Sequence, residues 1–94
     1  NHSYFVKQRE EGDRTIIELS EHVTFLNKAS IMKMLDEIEV GHPVTIDGSK
    51  CVFIHPDVEE IIEDFLASEK HKEDSIEYIK PPHKPESGFM FKSA

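Results

Sequence analysis

Val44-Thr45-Ile46-Asp47-Gly48-Ser49-Lys50-Cys51-Val52-Phe53-Ile54-His55-Pro56-Asp57-Val58 packs a β-branched run, a turn, a second short apolar run and the start of a helix into fifteen residues. Val44-Thr45-Ile46, between Pro43 and Asp47-Gly48, reads as a buried central strand, about 43–47, delivering its end to a turn. Val52-Phe53-Ile54 is a short extended piece. Pro56 then sits where a first helical residue needs no N–H, with Asp57, Glu59 and Glu60 at the positive end of the helix dipole. Val58, Ile61, Ile62, Phe65 and Leu66 recur at i, i+3, i+4, i+7 and i+8 and predict an amphipathic helix over about 56–72, with Lys70, His71 and Lys72 at its negative end.

Upstream, Tyr4 to Arg9 and Arg14 to Leu19 flank Glu10-Glu11-Gly12-Asp13 and predict a hairpin over about 4–19, with Gly12 free to take positive φ. Val23-Thr24-Phe25 reads as extended. Asn27 reads as the cap of a helix over about 27–39, in which Ile31, Leu35 and Ile38 recur at i, i+4 and i+7 with Met32 and Met34 alongside, and Gly41 ends it. Downstream, Ile76-Glu77-Tyr78-Ile79 predicts a strand over about 75–79. Pro81, Pro82 and Pro85 then open a tail, 81–94, whose Phe89-Met90-Phe91 needs covering at about 25 cal/mol per Å² of apolar surface. The order β-β-α-β-α-β predicts one α/β domain over 1–80, a mixed sheet of four to five strands with both helices on one face.

The chain has 94 residues, enough for one core. Its formal charge is −8, which repels phosphate backbones and argues against nucleic-acid binding. Protonating all six histidines would bring the charge only to −2, so acidification does not make the surface basic. Cys51 is the single cysteine, which excludes an internal disulfide and a zinc site built on several thiolates. No run approaches the length of a membrane span, and no signal-peptide pattern opens the chain. Because it begins at Asn1-His2-Ser3 without a methionine, the chain is expected to be a piece of a longer protein or to carry extraneous residues at its start.

Three segments together resemble a known family: Glu21-His22-Val23-Thr24-Phe25-Leu26-Asn27-Lys28-Ala29, then Val44-Thr45-Ile46-Asp47-Gly48-Ser49, then Val52-Phe53-Ile54-His55-Pro56-Asp57-Val58. They are similar to the STAS domain (sulfate transporter and anti-sigma factor antagonist), above all the C-terminal cytoplasmic STAS domain of bacterial SulP-type anion permeases. The resemblance spans about Arg14 to Ile79. It implies a STAS-like mixed sheet and a non-catalytic regulatory domain on the cytoplasmic side of the plasma membrane, attached to a multi-pass transporter of sulfate or bicarbonate. The implied partner is the transmembrane domain of the same parent, with other cytoplasmic proteins and a homodimer as further partners, and no cofactor. In the anti-sigma antagonist branch the resemblance implies a phosphorylated serine within Asp-Ser-Ser-Gly. The matching residues here are His55-Pro56-Asp57-Val58, which lack the hydroxyl. Two alternatives stay open, a free-standing partner-switching protein of the anti-sigma antagonist type and a small-anion or nucleotide-binding module.

With a STAS-like domain, the expected partner-facing rim is Ser49, His55, Asp57, Glu60 and Glu63, acting in docking rather than as reactants. A helix N-terminus favours anions, but Asp57, Glu59 and Glu60 already bring negative charge to this one, so self-capping is expected. Asp47-Gly48-Ser49-Lys50 lacks the spacing of a phosphate loop and reads as a turn in which Asp47 accepts backbone N–H groups. His2, His22, His42, His55, His71 and His83 are dispersed, with no pair at helical ligand spacing, so no metal site is expected. Ser49 with His55 and Asp57 lacks a visible oxyanion donor or cleft, and Cys51 reads as a small packed hydrophobe; no catalytic residue is expected. Glu59, Glu60, Glu63 and Asp64 read as a solvated face suited to Lys- or Arg-rich cytoplasmic loops.

Overall fold

Gly12, at φ +63°, turns the chain between β1 (Lys7–Glu11) and β2 (Arg14–Glu18), which pair antiparallel from Lys7↔Glu18 to Glu11↔Arg14. The computed structural model describes residues 4–68 and 76–82. After β2 come β3 (His22–Val23), a 3-10 turn (Phe25–Asn27) and α1 (Lys28–Asp36). They are followed by β4 (Val44–Asp47), β5 (Phe53–Ile54), α2 (Pro56–Ala67) and β6 (Ile76–Ile79).

The main sheet has four strands in the order β1-β2-β4-β6, with β4 parallel to both of its neighbours. Its register aligns Thr15, Val44 and Ile76, and then Ile17, Ile46 and Tyr78. Because side chains alternate along a strand, these rows share one face. Ile17, Val44 and Ile46 join Ile31 and Leu35 of α1 and Val58, Ile62 and Phe65 of α2 in a single buried cluster, with Ile76 and Tyr78 packed against it. Both helices therefore bury their apolar stripes on that face, as the two periodicities predict. The other face carries charge. Arg9 pairs with Glu18 at 3.1 Å, Lys50 with Glu18 at 3.3 Å, and Arg14 donates to Thr45 Oγ1 at 3.0 Å.

Four features differ from the sequence expectation. The fifth extended piece does not join the main sheet; β3 and β5 form a separate two-stranded parallel ladder, His22↔Phe53 and Val23↔Ile54. The cause is the turn after β4, where Cys51 N–H donates to the Gly48 carbonyl at 3.0 Å and redirects the chain. Helix α1 stops at Asp36, three residues before the expected end, although Ile38 is still buried and Gly41 still takes φ +86°. Asn27 is the residue before α1 but caps nothing with its side chain. It serves the 3-10 turn instead, because Thr24 offers the extended backbone that a cap needs. Helix α2 stops at Ala67, five residues before the expected end near residue 72, because Ser68 leaves the helix in extended conformation with its N–H donating to the Phe65 carbonyl at 3.2 Å. Lys70, His71 and Lys72 and the Phe89-Met90-Phe91 tip of the tail lie outside the described residues.

Candidate functional site

Parallel strands followed by helices bring the ends of β2 and β4 and the starts of α1 and α2 to one edge of the sheet. At the end of β4, Ser49 N–H donates to Asp47 Oδ1 at 2.9 Å, the expected turn. The Ser49 hydroxyl and backbone N–H together hold the Asp47 carboxyl below its usual range, with smaller help from Lys50 and Arg9. Ser49 is exposed within this turn. Cys51 lies in the core at 1% exposure, and burial pushes its thiol pKa up, away from the thiolate form.

The entrance to α2 is closed by the chain's own atoms. His55 is the N-cap, in extended conformation, and its Nδ1 accepts the Asp57 N–H at 3.0 Å. Pro56 has no N–H to offer, and Val58 and Glu59 both donate to the His55 carbonyl at 3.0 Å. No backbone donor of the first turn is left for an anion, and Asp57 and Glu59 add like charge. The expected self-capping is present, with a histidine ring in place of the usual Ser, Thr, Asp or Asn.

Around this entrance the two helix starts are linked. Lys28 Nζ lies 3.9 Å from Asp57 Oδ2 and 5.3 Å from the centre of the Phe25 ring. Phe25 meets the His55 ring edge-on at 5.6 Å. These are surface contacts of small individual worth, but together they fix the positions of Phe25, His55 and Asp57.

The 3-10 turn explains what stands out beside them. Asn27 Oδ1 accepts Thr24 N–H at 2.8 Å, Thr24 Oγ1 accepts Leu26 N–H at 3.2 Å, and Asn27 Nδ2 donates to the Tyr4 carbonyl at 3.0 Å. This box turns Leu26 out to 90% exposure, with Phe25 at 54% and Met32 at 46%. Phe25, Leu26, Lys28, Ala29 and Met32 line a shallow, mostly apolar depression of about 370 Å³. The sequence reading missed this patch, since it assigned Phe25 to an extended segment and Met32 to the apolar series of α1. The available signal was spacing, because Met32 falls off the Ile31-Leu35 stripe.

Of the expected rim, the structure brings His55 and Asp57 together, while Ser49 sits in its own turn at the end of β4. Glu60 and Glu63 are exposed on α2 and, with Asp64, make no ion pair among the described residues. A second depression, about 360 Å³, lies at the opposite edge, where His42 Nε2 is 2.8 Å from Thr15 Oγ1 and Glu10, Glu37 and Glu39 line the wall. Among the described residues no group of three or more His, Cys, Asp or Glu is placed to hold a metal ion, and no helix is long and apolar enough to cross a membrane. No protein-family model matches the chain, and no curated protein or solved structure matches it either.

Proposed function

We propose that this chain is a non-catalytic, STAS-like interaction domain that regulates an anion transporter, of sulfate or bicarbonate, from the cytoplasmic side of the membrane. Its partner is the transmembrane domain of the same parent protein. The observation that carries the reading is the α2 entrance: every first-turn donor is satisfied internally, its carboxylates face outward, and Phe25 and Leu26 stand in solvent beside it. Such a surface offers apolar area and negative charge to a partner but no reactive group. The complementary segment carries an apolar side chain for the Phe25-Leu26-Met32 depression and Lys or Arg opposite Asp57, Glu60 and Glu63. The rival readings lack a foothold at this place. Partner switching by phosphorylation needs a hydroxyl where His55-Pro56-Asp57 has none, and anion binding needs donors that are already taken.

Burying one Leu side chain is worth roughly 1.5–3 kcal/mol, or about 10- to 100-fold in affinity. In the intact parent, Leu26→Ser with Met32→Ser should therefore alter transport several-fold at normal protein levels, and Asp57→Asn with Glu60→Gln and Glu63→Gln should do so more mildly. Unchanged transport in both variants would remove this surface from consideration.

A further inference from the structure

We propose that His55 is a proton-operated latch on the α2 entrance: its neutral ring holds the first turn, and protonation at Nδ1 releases it. A backbone N–H can only donate, so the Asp57 N–H bond to Nδ1 requires that nitrogen to carry its lone pair and the neutral ring's proton to sit on Nε2. A solvent proton that binds the Nδ1 lone pair breaks this hydrogen bond, because an imidazolium has two donors and no acceptor. The same proton places a cation at the positive end of the helix dipole. The usual capping side chains keep their acceptor oxygen across the range of about pH 5 to 8, whereas histidine changes charge within it. A histidine here thus makes the cap conditional on pH.

The neighbouring elements supply charges of both signs. Lys28 of α1 reaches Asp57 at 3.9 Å, Asp57 and Glu59 occupy the first turn of α2, and the 3-10 turn presents only the uncharged Phe25 ring. From β3, Val23 takes the His55 N–H at 2.8 Å, with His22 next to it in sequence, Glu21 just before the strand, and the Cys51 thiol near both Val23 and Glu59. Release frees the Asp57 N–H. The inference goes beyond the proposed function and does not depend on the identity of any partner.

The test follows the Asp57 amide and the His55 ring nitrogens by NMR between about pH 8 and about pH 5. The Asp57 amide signal should shift upfield along a one-proton curve with the same midpoint as the His55 ring. In His55→Asn, which retains a capping oxygen, that shift should be lost. An Asp57 amide that stays put while the His55 ring titrates would overturn the proposal. So would an equal shift in His55→Asn, which would place the responding group elsewhere, with His22 the first alternative.

Discussion

Tyr78 places a phenol oxygen in the interior with no hydrogen-bond partner among the described residues. Burial, reinforced by the nearby Glu59 and Glu63 carboxylates, pushes its pKa from 10.0 up to about 12. An acid with a raised folded pKa contributes stability below its unfolded value that is lost as pH rises through the folded one. The fold should therefore weaken between pH 10.0 and about 12, with tyrosinate absorbance rising together with unfolding. Tyr78→Phe should reduce that alkaline loss, leaving the part due to the Cys51 thiol, whose pKa burial also raises, and should leave neutral-pH stability unchanged or higher by up to about 1 kcal/mol, since it removes an unsatisfied hydroxyl. Gly48 is fixed by a different constraint. Its N–H donates to the Ile79 carbonyl at 2.7 Å, and a Cβ built there would lie 2.7 Å from that same oxygen and 3.1 Å from Pro81 Cδ. Backbone cannot yield as a flexible side chain can, so Gly48→Ala should cost about 1–3 kcal/mol in denaturant unfolding.

At the scale of elements, the segment between β3 and α1 owes its shape to two side chains. Thr24 and Asn27 satisfy each other's termini of a single 3-10 turn, and Asn27 also ties the turn to Tyr4. Thr24→Ala should lower unfolding stability by about 1 kcal/mol, and Asn27→Ala by more, because it loses the Tyr4 tie as well. Under the proposed function, both should also reduce docking beyond their effect on stability, since this turn presents Phe25 and Leu26. An Asn27→Ala variant as stable as the wild type would show that the turn holds without its box. Helix α2 was legible from the sequence because Pro56, the first-turn acids and the apolar period all agree. The cap of α1 was not, because Thr24 and Asn27 are both good capping residues and only backbone geometry decides between them.

Over the whole molecule the charge is −8, while the ion pairs of the charged sheet face and of Lys28 and Asp57 are exposed or partly exposed. Surface pairs contribute little, so net self-repulsion should dominate, and the melting temperature should rise when salt increases from low ionic strength to about 0.15 M. A fall would mean that the Arg9, Glu18 and Lys50 cluster outweighs the repulsion. The sequence by itself determined the order of the elements, the apolar stripes of both helices, the turns at Gly12 and Asp47, and a capped acidic start to α2. All of these follow from local backbone preference and side-chain period. Only the tertiary structure decided that β3 and β5 leave the main sheet, and that the atom closing α2 is a histidine nitrogen. It also decided that Phe25, Leu26 and Met32 gather beside that cap. These depend on how distant segments approach one another, and side chains in solvent impose no period from which such an approach can be read.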